Sequence, residues 1–306
     1  MIIENLEQVT QAVLDEMKRT PDSRTKEILE SMVRHLHAFV RETHLTEKEF
    51  DKAINYVAAL GQLTTESHNE VRLMAGTLGV STLVCLMNNG PDAATESSAN
   101  LLGPFWRMHS PKTENDGSLL RSFTPGIPLF FKGWVRDPEG RPVAGAEVDV
   151  WHASPVGLYE NQDPEQAEMN LRGKFTTDAN GEFSFRSIKP AGYPIPINGP
   201  VGALLNAQKR HNFRPAHLHF LVYKPGFKTV TSQIYTPDDP HLETDSQFGV
   251  TRALVGHFQL HENEPAPDPA VTGPWYSLQH TFIVQPGESW LPTPPVSKKA
   301  TKRIQS

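Results

Sequence analysis

The chain has 306 residues, of which 38% are hydrophobic and 21% are charged, and these proportions predict a globular protein rather than a disordered one. Its formal net charge of −6 argues against nucleic acid as a partner, and its apolar runs are too short to span a membrane. The start, MIIENLEQ, lacks the basic and apolar regions of a signal peptide, so we expect a cytoplasmic protein. The single cysteine, Cys85, excludes an intramolecular disulfide and a thiolate cluster, so a metal site would need His, Tyr, Asp or Glu.

Residues 1 to about 90 are predicted to be helical. Apolar residues recur at helical spacing over 28–40 and 50–57, and a longer apolar run over 71–87 ends at the stop sequence Asn88-Asn89-Gly90-Pro91. We expect four helices here, or three and a short one.

Two pairs of residues in this region have the spacing of capping boxes. Thr46 with Glu49, and Ser67 with Glu70, each place an acidic side chain three residues after a hydroxyl. We therefore expect one helix to begin at each pair.

From about residue 122 the pattern changes to short runs rich in Val, Phe and Thr, separated by turn sequences such as Asp137-Pro138-Glu139-Gly140 and Asp178-Ala179-Asn180-Gly181. The predicted strands cover residues 129–135, 148–152, 182–186, 217–223, 230–235 and 276–284. Strands at this interval are typical of a β-sandwich. The fold class is therefore predicted to be α+β, with a helical region followed by a β-sandwich.

Two segments have no regular pattern. Residues 189–202 are dense in Pro and Gly, too irregular for a regular element, and we expect an ordered functional loop or a surface loop. The tail over 291–306 is Pro-rich and then basic, through Lys298, Lys299, Lys302 and Arg303, and we expect a solvated extension.

His217-Leu218-His219 is the first candidate for chemistry. Residues two apart on a strand face the same side, roughly 6.5–7 Å apart, so both imidazoles could bind one metal. The pair His35 and His37 has the same spacing in a helical pattern, where the two rings would point about 200° apart and should not bind a metal together. Two ordinary histidines remain the alternative interpretation of the first pair.

The surroundings of this pair add an arginine and two tyrosines. Arg214 precedes the pair, Tyr159 follows a predicted strand, and Tyr193 lies in the irregular segment. Each tyrosine alone would more often be structural, with a hydrogen-bonded hydroxyl. Two histidines with two phenolates, which are hard anionic donors, would favour Fe(III) over Zn(II) or Cu(I). The spacing alone leaves both interpretations open.

These residues lie in stretches that resemble the intradiol ring-cleaving dioxygenases, the family of catechol, hydroxyquinol and protocatechuate enzymes. The matching stretches are LMAGTLGVSTLV (73–84), ANLLGPFWR (99–107), EVDVWHASPVGLYENQ (147–162), residues 170–202, RPAHLHF (214–220) and TSQIY (231–235). The resemblance implies a helical linker and dimerisation domain over 1–110, a β-sandwich catalytic domain over 111–290, and the tail.

The resemblance also implies one Fe(III) per subunit. Carried onto this sequence, Tyr159 and His217 are the equatorial ligands, and Tyr193 and His219 are the axial ligands. Tyr193 would also accept a proton from the substrate, and Arg214 would stabilise negative charge that develops on it. Gln233 matches a glutamine beside the iron.

The predicted substrate pocket is also implied by the family pattern, and the substrates are a catechol-type diol and O2. The pocket residues are Leu73, Gly76, Leu102, Pro104 and Phe105. Catechol enzymes tend to have Pro at the position of Gly76 and hydroxyquinol enzymes Asp, so Gly76 predicts a roomier, less polar pocket. We therefore expect catechol and substituted catechols as substrates, with cis,cis-muconate as product. The sequence Tyr193-Pro194-Ile195-Pro196 favours the alternative, a hydroxyquinol 1,2-dioxygenase that gives maleylacetate, and protocatechuate is less expected because those enzymes lack the long helical start.

Other classes of protein remain as alternatives. GRPVAGAEVDVW (140–151) also occurs in prealbumin-like sandwiches, so a non-catalytic binding module is one. A Zn or Fe(II) enzyme would require a carboxylate beside the histidines, and no acid stands at a matching position. The apolar faces of the N-terminal helices, around Val9 to Met17 and Ile28 to Leu36, suggest a homodimer, which in this family can also hold a lipid.

Overall fold

The computed structural model describes residues 2–89 and 99–302, and its chain forms two compact units. The first ends at Ala58 and the second begins at Ala59. The domain limits predicted from the sequence, at residues 110 and 290, stay predictions.

Between residues 2 and 89 the structure has five α-helices, so the expected number of four is wrong. They are α1 (Leu6–Met17), α2 (Ser23–Thr43), α3 (Glu47–Leu63), α4 (Glu70–Thr77) and α5 (Val80–Asn89). The long apolar run divides into α4 and α5 because Gly79 has φ +71°, a left-handed conformation that interrupts an α-helix. Gly90 and Pro91 of the predicted stop sequence lie outside the described residues.

One of the two predicted capping boxes is confirmed. The backbone N–H of Thr46 donates to Glu49 at 3.0 Å, and that of Glu49 donates to the Thr46 hydroxyl at 3.3 Å, so α3 begins as expected. The box at Ser67 is wrong, because Asn69 caps α4 by accepting from the backbone N–H of Arg72 at 2.9 Å.

The first unit leaves large apolar side chains exposed on α2. Ile28, Met32 and Leu36 are each about half exposed, although they recur on one side of the helix. Such a stripe is normally covered when a helix belongs to a core.

The second unit contains eleven strands among its described residues. They are β1 (Gly117–Ser118), β2 (Pro128–Arg136), β3 (Glu147–His152), β4 (Arg172–Thr176), β5 (Glu182–Ile188), β6 (Tyr193–Pro194), β7 (Phe213–Arg214), β8 (His217–Tyr223), β9 (Val230–Tyr235), β10 (Gln259–His261) and β11 (Trp275–Ile283). The six predicted strands correspond to β2, β3, β5, β8, β9 and β11. The five others were not predicted.

Two of the sheets in this unit enclose one core. One has the order β1-β5-β2-β11-β10, and the other has the order β4-β3-β8-β9. The ring of Phe131 on β2 lies 5.1 Å from that of Phe220 on β8, so side chains from the two sheets meet between them. The predicted α+β fold, helices followed by a β-sandwich, is confirmed.

The irregular segment over 189–202 is more ordered than the sequence suggested. It contains β6, which pairs antiparallel with β7, and the start of a sixth helix, α6 (Pro200–Ala207). The expectation that no regular element occurs here is wrong, because Gly199 is the N-cap of α6 and Pro200, at its N-terminus, has a φ already suited to a helix.

The predicted solvated tail also folds against the second unit. Val296 is buried, and the backbone N–H groups of Ser297 and Lys298 donate to the carbonyl of Glu66 at 2.7 and 3.0 Å. The expectation of a solvated extension is therefore wrong for Val296, whereas the Lys298 side chain is 69% exposed and Arg303 lies outside the described part.

No single described helix is long and apolar enough to cross a membrane. Glu70–Thr77 and Val80–Asn88 reach that length and apolarity only when they are taken together, across a bend of 75°.

Candidate metal centre and substrate cavity

Strand β8 places both histidines on one side of the sheet. Leu218, Phe220 and Val222 point into the core between the two sheets. Because side chains alternate along a strand, His217 and His219 point to the opposite face, where they are nevertheless buried. The other pair with this spacing, His35 and His37, lies on α2, where His37 Nδ1 is 2.9 Å from the Thr10 hydroxyl.

Neighbouring strands fix the orientation of these rings. Trp151 on β3 is opposite His219 and stacks on it, with ring centroids 4.6 Å apart and an interplanar angle of 7°. On β9, Gln233 is opposite His219 and Tyr235 is opposite His217. His217 Nδ1 is 2.7 Å from the carbonyl oxygen of Pro215, which can only accept, so Nδ1 donates and Nε2 keeps its lone pair.

Tyr159 reaches the histidines from the loop after β3. A turn closes between Ser154 and Leu158, and Gly157 takes φ +80° within it. The backbone N–H of Tyr159 donates to Gln162 Oε1 at 3.0 Å. This short, hydrogen-bonded loop directs the phenol toward β8.

Tyr193 is held by the two-strand ladder of β6 and β7, in which it is opposite Arg214. The same ladder therefore positions the second tyrosine and the arginine that precedes the histidines. Both side chains are fully buried.

The four predicted ligand atoms converge on one point. The Tyr159 hydroxyl oxygen is 3.1 Å from His219 Nε2, 3.4 Å from His217 Nε2 and 3.3 Å from the Tyr193 hydroxyl oxygen. The two Nε2 atoms are 3.1 Å apart. The structure thus brings together all four residues that the sequence selected.

Burial keeps all four groups neutral in the polypeptide alone. It raises the pKa of Tyr159 well above its ordinary value, an effect to which Tyr193 adds. Burial also raises the pKa of Tyr193, although Arg214 opposes this. For His217, burial and then Arg214 lower the pKa to about 3, and burial and then His217 lower the pKa of His219 well below its ordinary value.

This donor set fits a single metal cation. Ligand atoms that bind one ion at about 2.1 Å and at right angles are about 3 Å apart, close to the separations of these four atoms. A cation would favour the phenolate form of both tyrosines against the effect of burial. Within residues 2–89 and 99–302 no group of three or more His, Cys, Asp or Glu could hold a metal, so the tyrosines are essential to this set.

Arg214 is fixed beside the four atoms by a buried ion pair. Its Nε and Nη2 donate to the two carboxylate oxygens of Asp245, each at 3.1 Å, and Nη2 also lies 2.8 Å from the Tyr235 hydroxyl and 3.1 Å from Gln233 Oε1. Its Nη1 is 3.4 Å from His217 Nε2. This ion pair lies in the interior and not on the surface, because both side chains are 2% exposed.

The carboxylate of Asp245 is ionised in this setting. Burial by itself would raise its pKa, but Arg214 and the backbone N–H groups of Gln247 and Gly249 hold the pKa below its ordinary value. Asp245 therefore provides a counter-charge to Arg214, which it contacts through Nε and Nη2.

A cavity of about 340 Å³ opens beside this centre. Its walls include all five residues of the predicted substrate pocket, Leu73, Gly76, Leu102, Pro104 and Phe105. Tyr193 and Arg214 also line it, so the cavity reaches the convergent atoms. The volume is sufficient for a single aromatic ring with substituents.

The space that Gly76 was expected to leave open is filled by Gln247. A side chain built on Gly76 would overlap Gln247 Oε1 and lie 2.9 Å from Gln247 Cδ. The expectation of a roomier, less polar pocket at this position is therefore wrong, because a buried amide occupies it.

Sequence reasoning missed three residues of this site. Tyr235 lies two residues after Gln233 on β9, so the two-residue repeat of a strand could have identified it. Asp245 and Gln247 lie in an irregular segment after β9, where no pattern indicates which side chains turn inward.

The fold consists of helices followed by a β-sandwich, and two tyrosines and two histidines lie together on one face of a sheet. This combination defines a class of protein with a candidate metal site of mixed oxygen and nitrogen donors. A family model described as "Dioxygenase" matches residues 101–277, and one described as "Catechol dioxygenase N terminus" matches residues 22–96. The chain belongs to the intradiol ring-cleavage dioxygenase family, as the sequence resemblance predicted.

Relatives in this family act on two kinds of substrate. The chain is 35% identical to a catechol 1,2-dioxygenase of Candida albicans, over 83% of this chain and 85% of the relative. It is 39% identical to a hydroxyquinol 1,2-dioxygenase of Rhizobium sp., over 91% and 95%. The crystal structure of hydroxyquinol 1,2-dioxygenase from Pseudomonas putida DLL-E4 superposes with a TM-score of 0.81 at 34% identity, covering 92% of this chain and 99% of that one. The chain is thus an intradiol dioxygenase of the catechol or hydroxyquinol type.

Proposed function

We propose that this protein binds one Fe(III) and uses O2 to open the ring of a catechol-type diol between its two hydroxyl-bearing carbons. Catechol would give cis,cis-muconate, whose acid form contains all the atoms of catechol and O2. The observation that carries the proposal is the convergence of two phenol oxygens and two imidazole nitrogens at the base of a cavity that fits an aromatic ring.

Tyr159, Tyr193, His217 and His219 would hold the iron. Fe(III), when bound, supplies a Lewis acid that binds the diol and accepts electron density from it. Hard phenolate oxygens suit this oxidation state better than they suit Zn(II) or Cu(I).

Two side chains of the cavity would act on the substrate directly. The phenolate oxygen of Tyr193 would accept a proton from a diol hydroxyl, because it is both a ligand and part of the cavity wall. The Arg214 guanidinium, fixed by Asp245, would stabilise negative charge that develops on the ring oxygens.

Phe105 would keep water away from the reacting atoms. Its ring centroid is 4.6 Å from that of Tyr159, and its side chain is buried in the wall of the cavity. A dry site strengthens the interaction between Arg214 and the diol oxygens.

Hydroxyquinol, which has a third ring hydroxyl, is a second candidate substrate and would give maleylacetate. The amide of Gln247 beside Gly76 favours it, because the predicted preference for catechol depended on an apolar space there. A non-catalytic binding module would leave the convergence of the four donor atoms unexplained.

Oxygen uptake by iron-loaded protein tests the proposal. We expect uptake of one O2 per diol with catechol and hydroxyquinol, and mass spectrometry after reaction under ¹⁸O2 should find the label in the ring-opened product. Absence of uptake with every diol tested, from protein that contains stoichiometric iron, would contradict the proposal.

We also propose that the protein forms a homodimer through its N-terminal helices. The exposed apolar stripe of Ile28, Met32 and Leu36 supports this. Sedimentation velocity should give a dimer for the wild type and a monomer when Met32 and Leu36 are both replaced by Glu. A monomeric wild type would contradict it.

A lipid is proposed as a further ligand of the first unit. An apolar groove of about 350 Å³ lies there, lined in part by Leu6, Val9, Val40 and Phe50. Mass spectrometry of an organic extract of the purified protein should find a lipid, and an extract without one contradicts the proposal.

A further inference from the structure

The amide of Gln247 has a defined orientation. Its Nε2 donates to the Thr77 hydroxyl oxygen at 2.8 Å, and the Thr77 hydroxyl donates its own hydrogen to the Leu73 carbonyl at 2.9 Å. Because the only hydrogen of that hydroxyl is already used, the atom of Gln247 that faces it must be a donor. The carbonyl oxygen, Oε1, must therefore face the other way, toward Gly76.

Oε1 of Gln247 has no hydrogen-bond partner among the residues that the structure describes. Gln247 is 4% exposed and lines the cavity together with Gly76, Tyr193 and Arg214. Oε1 keeps some accessible surface and its residue lines the cavity, so this acceptor without a protein partner is available to a ligand that donates to it.

Gly76 is the residue that makes this arrangement possible. A methyl group at this position would overlap Oε1, so even alanine would displace the amide from the wall of the cavity. The position of the Gln247 amide in the cavity wall therefore depends on the absence of a side chain at residue 76.

We infer that Gln247 Oε1 accepts a hydrogen bond from a ring substituent of the substrate, and that this selects a diol with a further hydroxyl group over one with an alkyl group. The inference rests on the proposed ring-cleavage function and names the substrate class of the same cavity. An apolar substituent would leave Oε1 unsatisfied, and a carboxylate would place negative charge against a carbonyl oxygen. Hydroxyquinol has the required donor, and 4-methylcatechol has a methyl group in its place.

The test compares kcat/KM of the iron-loaded enzyme for these two diols. We expect Gln247→Met, which keeps the length of the side chain but removes the carbonyl, to lower the ratio of hydroxyquinol to 4-methylcatechol about 10-fold. Gln247→Glu retains an acceptor at the same position and should keep most of the ratio. Equal changes for both diols in Gln247→Met would overturn the inference.

A second variant tests the coupling to Gly76. Gly76→Ala should lower the same ratio although it removes no polar group, because the added methyl displaces Oε1. In a Gln247→Met background the same alanine should change the ratio by less than about 2-fold, which gives a non-additive double-mutant cycle. Additive effects would show that Gly76 acts on substrate selection independently of Gln247.

The two proposals fail in different ways. If iron-loaded wild type consumes no O2 with any diol, the proposed function fails. If it cleaves both diols but the ratio is the same in the wild type and in Gln247→Met, the proposed function stands and the role of Gln247 is refuted.

Discussion

Arg214 shows how a buried charge can be fixed in the wall of a cavity. A guanidinium that is 2% exposed would be strongly disfavoured without a counter-charge, and Asp245 provides one through two hydrogen bonds of 3.1 Å. The bidentate contact also determines the direction in which the remaining N–H groups point. Removing the carboxylate should therefore affect both the free energy of unfolding and the turnover.

For Asp245→Asn we expect a loss of about 3–5 kcal/mol in the free energy of unfolding, because Arg214 stays buried without its counter-charge. Urea unfolding measures this, and kcat/KM should fall in the same variant. Glu139→Gln, which affects the exposed ion pair of Glu139 with Arg141, is the matched control and should cost less than about 1 kcal/mol. A loss as small as that of the control would contradict the role of Asp245.

Tyr193 is both a predicted iron ligand and the predicted proton acceptor. Tyr193→Phe should change the visible absorbance of the iron-loaded protein, because one phenolate is lost, and lower kcat about 10²-fold or more. Tyr223→Phe, at the far end of the same strand as the histidines, is the control and should alter neither. An unchanged spectrum and an unchanged kcat in Tyr193→Phe would remove Tyr193 from the ligand set.

At the scale of elements, the loop after β3 supports the tyrosine pair through a glycine. Gly157 has φ +80°, and a Cβ there would lie 3.3 Å from Tyr193 Cβ. A substitution at this turn would therefore strain the backbone and press on the neighbouring β6 at the same time.

Gly157→Ala and Gly226→Ala separate these two effects. Gly226 has φ +86° but nothing within 4 Å of its built Cβ, so both variants should lose about 1 kcal/mol of stability from backbone strain alone. Only Gly157→Ala should also shift the iron absorbance and lower kcat/KM, through displacement of Tyr193. Equal activity of the two variants would show that the loop does not position the tyrosine.

At the scale of the whole molecule, a buried histidine links folding to pH. His152, at the end of β3, has Nδ1 2.8 Å from the carbonyl oxygen of Ala153 and Nε2 2.7 Å from the Ser187 hydroxyl on β5. Burial lowers its pKa from 6.5 to about 4. The neutral ring thus joins strands of the two different sheets.

Because the folded pKa lies below the unfolded one, the contribution of His152 is complete above about pH 6.5 and is lost as the pH falls toward 4. The difference corresponds to about 3 kcal/mol. His152→Gln should therefore show a shallower decline in the free energy of urea unfolding between pH 6.5 and 4 than the wild type. The exposed His257→Gln should keep the slope of the wild type, and an identical slope in His152→Gln would contradict the prediction.

The sequence predicted those helices and strands whose side chains repeat in a regular pattern every two to four residues. The alternation around His217 identified β8 and the side that carries both imidazoles, and the helical spacing around Ile28 identified α2. Strand β4 was missed because it has only five residues and its second residue is Gly173, which weakens a strand prediction.

Contacts between residues far apart in the sequence could not be predicted from such local patterns. That Gln247 fills the space at Gly76 depends on two residues far apart in sequence, and the sequence alone suggested an open pocket. The start of α6 was hidden because the Pro and Gly residues around it are equally typical of a loop.

The alternation along β8 has a consequence for how this chain tolerates changes in length. His217 and His219 share their strand with Leu218 and Phe220, which face the core. A single residue inserted just before His217 would turn both imidazoles inward and two apolar side chains outward, provided the strand pairing is kept. Length variation in descendants of this gene should therefore accumulate in the turn over 224–229 and be absent from β8. Point changes at residue 218 or 220 that preserve size would leave the candidate metal centre intact.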